Sequence, residues 1–323
     1  MLLNILLILI GVVLVLWGAD RLTDGASAIA RRMEIPEIVI GLTIVAAGTS
    51  APELFVSVTS ALSVTPEHPD LADLAVGNVV GSNIMNALLI VGVTAMVAPM
   101  SISRSTVVKD IPFTLLATLL LMLLCLDAFG SLSLNGNTIS RIDGILLLMG
   151  FTAFMLYTLR MAKKDKVRFE SGQNQPLWKS LLFVVLGLGC LIGGSNLFVN
   201  AASAVATYLG VSQSIIGLTI VAGGTSLPEL ATSVVAARKG RSAMAIGNVL
   251  GSNVFNILLI LGLTATISPM QITGITMVDL TIMLLSMLLI WLFSYTKYTM
   301  ARWEGAVLTL IYMAYASWLL YNI

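Results

Sequence analysis

Charged residues are scarce in this sequence. Only 10% of its 323 residues are Asp, Glu, Lys or Arg, against roughly 25% in ordinary soluble domains. Hydrophobic residues make up 58%, and the mean hydropathy is +0.99. A soluble core cannot absorb so much apolar surface, so the composition excludes a soluble globular protein and indicates a membrane protein.

Cysteine and histidine are also rare. The two cysteines, Cys125 and Cys190, lie in apolar runs, so neither a disulfide framework nor a cysteine metal site is expected. The only histidine, His68, lies in a loop rich in Pro, Glu and Asp. Because no histidine, Ser–Lys pair or catalytic Asp pair falls at membrane depth, we do not expect an enzyme or a bound cofactor. No nucleic-acid partner and no obligate protein partner are indicated.

The sequence predicts an all-α integral membrane protein with ten transmembrane helices. A helix needs about 20 apolar residues to cross the hydrocarbon core of a bilayer. The segments that meet this requirement are 2–19, 36–62, 71–98, 106–127, 140–160, 178–199, 211–237, 242–268, 275–296 and 303–322. The first lacks the basic start and the cleavage site of a signal peptide, so we interpret it as a transmembrane helix.

Positive charge is nearly absent from every second loop. Of the 17 Lys and Arg residues, Arg141 alone falls in a loop that follows an even-numbered helix. The other sixteen, Arg21, Arg31 and Arg32 among them, follow odd-numbered helices. Cytoplasmic loops carry an excess of Lys and Arg, so these loops are predicted to be cytoplasmic and both termini extracytoplasmic.

Two sequence motifs occur twice in the same order. Residues 41–54 read GLTIVAAGTSAPEL and residues 217–230 read GLTIVAGGTSLPEL, with twelve of fourteen positions identical. Residues 77–92 read GNVVGSNIMNALLIVG and residues 247–262 read GNVLGSNVFNILLILG, with eleven of sixteen identical. Chance does not produce both pairs in one order, so the chain is an internal duplication.

Each half of the duplication contains five predicted helices. The first repeat is expected to occupy residues 1–160 and the second 178–323, with a cytoplasmic linker at 161–177. Because five is odd, the halves enter the membrane from opposite sides. This is the inverted-topology repeat found in secondary transporters.

Glu53 and Glu229 lie inside apolar spans, one in each copy of the first motif. A charged carboxylate at the centre of a lipid-facing helix costs roughly 2.5–3.5 kcal/mol. No Lys or Arg lies at similar depth to neutralise either one. The two acids must therefore be protonated, hydrated in a cavity or bound to a cation. The structural alternative is a protonated glutamate that bonds a neighbouring helix.

Oxygen-bearing residues recur around both acids. Thr49 and Ser50 can share a helical face with Glu53, and Ser82 and Asn86 follow at i, i+4 spacing in the second motif. Their counterparts in the second half are Thr225, Ser226, Ser252 and Asn256. For an isolated Ser or Asn, a hydrogen bond between helices is the alternative role.

Backbone carbonyls are expected to join these side chains. Pro52 lacks an N–H group and loosens the helix beside Gly48. At membrane depth, freed carbonyls are tolerated only where protein or a water-filled cavity covers them. The expected donors are the carbonyls of Ala46 and Ala222, although glycine and proline can also serve close helix packing.

Every donor in this set is a hard oxygen, without sulfur or imidazole. Such a set suits Ca²⁺, which takes about 6–8 oxygens, and also Na⁺, and it argues against Zn²⁺ or Cu⁺. Two carboxylates balance the charge of one Ca²⁺. The sequence therefore predicts one oxygen-lined site between the two halves.

The paired motifs resemble the α-repeats of the cation/Ca²⁺ exchanger superfamily, and most closely those of prokaryotic sodium/calcium exchangers. The motifs GTSAPEL with GSNIMN, repeated as GTSLPEL with GSNVFN, carry the resemblance, which covers essentially the whole chain. It implies a multi-pass protein in the plasma or inner membrane of a prokaryote that exchanges Na⁺ for Ca²⁺. The ion-site roles carry over to Ala46, Thr49, Ser50, Glu53, Ser82 and Asn86, and to Ala222, Thr225, Ser226, Glu229, Ser252 and Asn256.

The resemblance further implies one Ca²⁺ site flanked by Na⁺ sites, and a first and a sixth helix that slide across the remaining eight as a gate. Some members have Asp at one of the positions that Asn86 and Asn256 occupy here. A Ca²⁺/H⁺ exchanger and a K⁺-dependent Na⁺/Ca²⁺ exchanger remain alternatives, and a cation channel is a more remote one.

Overall fold

The protein is a bundle of helices in the residues that its structure describes. The structure is a computed structural model that describes residues 1–65, 71–125, 138–164, 176–211, 216–272 and 275–321. His68 and most of the predicted linker at 161–177 lie outside these residues.

The helices of the first half include several short pieces of broken spans. They are α1 (Leu2–Arg32), α2 (Glu37–Ile40), α3 (Ala46–Thr49), α4 (Ala51–Leu62), α5 (Leu71–Met85), α6 (Val91–Val97), α7 (Ile111–Cys125) and α8 (Arg141–Lys164). The π-helical turns Gly41–Val45, Asn86–Ile90 and Thr106–Asp110 continue the spans between them. Such turns are rare in helices and are frequently found at functional sites.

The second half repeats this pattern. Its helices are α9 (Leu177–Tyr208), α10 (Ala222–Thr225), α11 (Leu227–Arg238), α12 (Ser242–Val254), α13 (Gly262–Ile267), α14 (Met277–Tyr295) and α15 (Arg302–Tyr321), with π-helical turns at Gly217–Val221 and Phe255–Leu261. Short antiparallel pairs join the halves: β1 (Met100–Ser101) pairs with β4 (Thr299–Met300), and β2 (Thr138–Ile139) pairs with β3 (Met270–Gln271).

Each predicted span contains a helix or a series of helices. Among the described residues, seven helices are individually long and apolar enough to cross a membrane, and the number reaches nine when each of two bent pairs is one span. The predicted span 303–322 corresponds to α15, which is 20 residues long but is not among those nine.

Two helices are longer than the sequence predicts. α1 continues to Arg32 instead of ending at residue 19, so Arg21, Arg31 and Arg32 lie in a helix and not in a loop. α9 likewise runs to Tyr208 instead of ending at residue 199. With 31 residues, α1 is about 46 Å long, whereas the hydrocarbon core is about 30 Å thick. A hydropathy criterion does not detect the polar end that extends beyond the core.

The two central spans of the bundle, Leu74–Val97 and Ser242–Ile267, carry the second motif. In their most apolar windows, 78% and 94% of the residues are buried, compared with 22% in α1 and 28% in α9. The repeated second motif therefore lies in the interior, and α1 and α9 present their large apolar side chains to lipid.

α1 and α9 pack backbone against backbone. A Cβ atom at Gly11 would lie 2.8 Å from the carbonyl oxygen of Gly194, and one at Gly18 would lie 2.7 Å from that of Gly187. Small residues permit this close approach between membrane helices. Gly11 and Gly18 precede Gly187 and Gly194 by 176 positions, the offset that also separates the copies of the first motif. The contact is therefore symmetric.

Candidate functional site

Ser50 and Ser226 each interrupt a span. The helical segments on either side of Ser50 are bent by 48°, and those on either side of Ser226 by 52°. Pro52 follows the first break, where it is tolerated because the N–H groups of a first helical turn have no partner within the helix. Glu53 therefore lies in the first turn of α4, and Glu229 lies in the first turn of α11. The partial positive charge of a helix N-terminus stabilises a carboxylate there.

The two breaks meet, and each serine bonds the glutamate of the other half. Ser50 Oγ donates to Glu229 Oε1 at 3.0 Å, and Ser226 Oγ donates to Glu53 Oε1 at 3.1 Å. Ser226 Oγ also lies 3.5 Å from Ser82 Oγ, which comes from the second motif. Both glutamates are 1% exposed. The two copies of the first motif thus form one site and not two.

Two pairs of asparagines cross between the halves beside this site. Asn86 Nδ2 donates to Asn253 Oδ1 at 3.0 Å, and Asn256 Nδ2 donates to Asn83 Oδ1 at 3.1 Å. All four side chains are buried. The nitrogen atoms of Asn86 and Asn256 are therefore engaged, whereas their carbonyl oxygens are not.

Five buried oxygens here have no hydrogen-bond partner among the described residues. They are Glu53 Oε2, Glu229 Oε2, Asn86 Oδ1, Asn256 Oδ1 and Ser252 Oγ. Buried polar atoms are ordinarily paired, and a buried unpaired charge is especially costly. No Lys or Arg is buried in the described part of the chain. A hard cation such as Ca²⁺ or Na⁺ is the partner that such oxygens would accept.

The remaining residues of the first motif differ between the halves. Thr49 is fully buried, whereas Thr225 is partly exposed and donates to the carbonyl of Ala222 at 3.0 Å. Ala46 is buried but Ala222 is exposed. The carbonyl of Ala46, which we expected to be freed, accepts the N–H of Ser50 at 2.9 Å. We call the buried side of the site, at Ala46, the closed side, and the exposed side, at Ala222, the open side.

Asn78 and Asn248 attach the glutamate-bearing helices to the central spans. Asn78 Nδ2 donates to Ser57 Oγ at 3.1 Å and to the carbonyl of Glu53 at 3.4 Å. Asn248 Nδ2 makes the same contacts in the second half, to Ser233 Oγ at 3.0 Å and to the carbonyl of the glutamate at 3.4 Å. The position of each glutamate is thus fixed by both motifs.

Sequence reasoning missed four asparagines that the structure places here: Asn78, Asn83, Asn248 and Asn253. All four stand at identical positions of the repeated second motif, and that repetition was the available signal. They were overlooked because the i, i+4 spacing argument followed only one face of each helix.

Buried carboxylates and unpartnered oxygens inside a bundle of membrane-spanning helices define an integral membrane cation transporter. The sodium/calcium exchanger protein family matches residues 3–160 and 179–321 of the chain. The chain is 35% identical to the inner membrane protein YrbG of Escherichia coli, over 99% of this chain and 98% of that protein. It is 31% identical to the sodium/calcium exchanger MaX1 of Methanosarcina acetivorans, over 98% of this chain and 99% of that protein.

A solved structure agrees with the sequence relatives. The sodium-calcium exchanger NCX_Mj, soaked with 2.5 mM Na⁺ and 1 mM Sr²⁺, matches with a TM-score of 0.83 at 29% identity and covers 98% of each chain. The chain therefore belongs to the sodium/calcium exchanger family, and the resemblance of its motifs is confirmed. It is a multi-pass membrane protein of a family of cation/Ca²⁺ antiporters, which are transporters and not enzymes.

Proposed function

We propose that the protein exchanges Na⁺ for Ca²⁺ by alternating access through this one central site. The unpartnered buried oxygens carry the proposal, because both halves contribute them around the crossed serine–glutamate hydrogen bonds. The proposed ligands are the backbone carbonyls or side chains of Ala46, Thr49, Ser50, Glu53, Ser82, Asn86, Ala222, Thr225, Ser226, Glu229, Ser252 and Asn256.

Charge and ligand type favour Ca²⁺ and Na⁺ as the transported ions. Two carboxylates neutralise one Ca²⁺, and carboxylate, amide and hydroxyl oxygens are hard ligands. MaX1 is named a sodium/calcium exchanger, and NCX_Mj was soaked with Na⁺ and with Ca²⁺ or Sr²⁺. Competition of the two ions for the same oxygens would couple their opposite movements.

The proposed topology has ten transmembrane helices in two inverted repeats, 1–160 and 178–323, joined by a cytoplasmic linker at 161–177. Both termini would then be extracytoplasmic. The sixteen-to-one distribution of Lys and Arg supports this orientation. The plasma or inner membrane of a prokaryote is the proposed location, because YrbG is named an inner membrane protein.

This topology assigns a direction to the open side of the site. Ala222 and Thr225 precede Glu229 on a span that would enter from outside, so they lie on the extracytoplasmic side. Ala46 and Thr49 would lie on the cytoplasmic side. In this orientation, the exposure of Ala222 and Thr225 and the burial of Ala46 and Thr49 support an outward-open state.

Proteoliposomes loaded with Na⁺ and diluted into Na⁺-free buffer with ⁴⁵Ca²⁺ test the proposed exchange. We expect Ca²⁺ uptake that needs internal Na⁺, needs no K⁺, and disappears when choline replaces Na⁺. Uptake that ignores Na⁺ but follows a pH gradient would identify a Ca²⁺/H⁺ exchanger. A requirement for K⁺ together with Na⁺ would identify a K⁺-dependent exchanger, and single-channel currents in planar bilayers would identify a channel.

A further inference from the structure

Asn83 and Asn253 face the amides of the two asparagines that are proposed ion ligands. Asn256 donates to Asn83 and Asn86 donates to Asn253, at 3.1 and 3.0 Å. All four side chains are 1% exposed. Each pair joins one half of the molecule to the other, and each leaves the carbonyl oxygen of the ligand asparagine without a partner.

We propose that Asn83 and Asn253 are positioning residues, which hold the amides of Asn256 and Asn86 with their carbonyl oxygens toward the cation. This proposal rests on the proposed function, in which Asn86 and Asn256 bind the transported ions. Asn83 and Asn253 act through those two residues and do not themselves bind the ion.

The physical reason is that an amide has two unlike ends. It can present an acceptor oxygen or two N–H donors to a neighbour, and its last torsion angle is only weakly restricted. N–H groups turned toward a cation would repel it. With Asn83 and Asn253 oriented as they are in the structure, the reverse orientation of Asn256 or Asn86 would bring two oxygens together and leave the reversed amide's N–H donors unpaired.

The two positioning residues differ in how they are held. Asn253 Nδ2 donates to Met287 Sδ at 3.5 Å, whereas Asn83 Nδ2 has no partner among the described residues. Asn83→Leu therefore removes one hydrogen bond, the one that orients Asn256, and keeps a side chain of similar size. Asn83 is the cleaner position for an experiment.

A double-mutant cycle separates positioning from packing. Asn83→Leu and Asn256→Asp are made singly and together, and Ca²⁺ binding to each purified protein is measured by isothermal titration calorimetry. Asn83→Leu alone is expected to weaken Ca²⁺ binding about tenfold, the scale of one lost buried hydrogen bond. In the Asn256→Asp background it is expected to change affinity by less than about twofold, because a carboxylate presents an oxygen in either orientation.

An equal loss of affinity in both backgrounds would show a packing role and overturn the proposal, as would unchanged affinity in Asn83→Leu alone. Asn200→Leu, the same substitution at an exposed position of α9, is the matched control. If Asn83→Leu does not fold, the mirror cycle of Asn253→Leu with Asn86→Asp is decided by the same criterion.

The same samples keep the two proposals apart. If the cycle gives the expected coupling but liposomes show no Na⁺-driven Ca²⁺ uptake, the proposed exchange fails and the positioning role stands. If exchange is present and the cycle shows no coupling, only the positioning role fails. A wild-type protein that binds no Ca²⁺ would refute both.

Discussion

Gly251 and Gly81 occupy corresponding positions of the repeat, yet one is tightly packed and the other is not. A Cβ atom at Gly251 would lie 2.8 Å from Leu42 Cα, whereas one at Gly81 would meet no described atom within 4 Å. Gly247 and Gly77 differ in the same way. The first would meet an opposing carbonyl oxygen at 2.8 Å, and the second only a side-chain carbon at 3.9 Å. Glycine at both positions would permit another backbone to approach closely.

Identical residues thus support two different packings in one molecule. α12 lies against the π-helical turn Gly41–Val45, where a Cβ atom at Gly41 would lie 2.7 Å from Met244 O. Gly81 in α5, by contrast, is exposed and has no such neighbour among the described residues. The two motifs are identical at most positions on both sides, so we attribute the difference to conformation. It supports the proposed alternating access, in which the two packings would be exchanged.

Loss of either carboxylate is expected to have the largest effect, and the same effect in both halves. Glu53→Gln and Glu229→Gln each remove one of the two carboxylates that are proposed to bind the cation. An uncompensated change of this kind in a buried site costs about 3–5 kcal/mol, so Na⁺-dependent ⁴⁵Ca²⁺ uptake should fall more than about 100-fold. Glu34→Gln, at an exposed position, is the control. If one of the two glutamine variants kept normal uptake, the equivalence of the halves would be broken.

Thiol labelling measures the difference between the open and closed sides directly. In a background without Cys125 and Cys190, Thr225→Cys should react readily with a membrane-impermeant maleimide. Thr49→Cys should react about 10-fold to 1000-fold more slowly, because it requires a minor conformation populated at about 0.1–10%. Equal rates measured in detergent would contradict the difference between the open and closed sides. Slower labelling of Thr225→Cys in the presence of Ca²⁺ would support the assignment of the open side to the ion site.

Alanine at the two corresponding glycines should separate stability from transport. Gly251→Ala places a methyl group against Ala46 of α3 and Leu42 of the π-helical turn, and we expect a loss of about 1–3 kcal/mol, the usual cost of overpacking. Gly81→Ala meets no described atom and should leave the unfolding temperature in detergent unchanged. If the packings exchange during transport, Gly81→Ala should still slow ⁴⁵Ca²⁺ uptake. Normal uptake in that variant would argue against the exchange.

The smallest expected effect concerns an ionic cluster that is present on the closed side. Lys239 Nζ lies 2.6 Å from Asp20 Oδ1 and 2.9 Å from Asp24 Oδ1, and Arg241 Nη2 lies 2.9 Å from Asp24 Oδ1. The position corresponding to Asp24 is occupied by the uncharged Asn200. Asp24→Asn should destabilise the closed side by about 0.2–1 kcal/mol, the range for partly exposed ion pairs.

The rate at which Thr49→Cys is labelled by the maleimide reports this small change. Combined with Asp24→Asn, its rate should rise by at most about fivefold, which corresponds to the upper end of that range. Glu34→Gln in the same background is the control and should leave the rate unchanged. An unchanged rate in Asp24→Asn would mean that the cluster does not hold this side closed.

The positions of the spans and the meeting of the two motifs were predictable from the sequence. Hydropathy locates helices locally, and repetition of the motifs indicates a common site for Glu53 and Glu229. The crossed asparagine pairs were not predictable, because Asn83 and Asn253 contact residues about 170 positions away and only the tertiary arrangement joins them. The closed side was not predictable either, since the corresponding glycines have nearly the same neighbours in sequence.

The glycine contact between α1 and α9 has a mechanical consequence. With the two backbones touching at Gly11 and Gly18, no layer of flexible side chains separates these helices there. In the proposed alternating access, these two helices would therefore move together as one unit. A Cβ atom at Gly48 would meet Leu188, and one at Gly224 would meet Val199, so α9 lies beside both broken spans. If the proposed exchange operates by alternating access, opening one entrance would then move the helices that line the other.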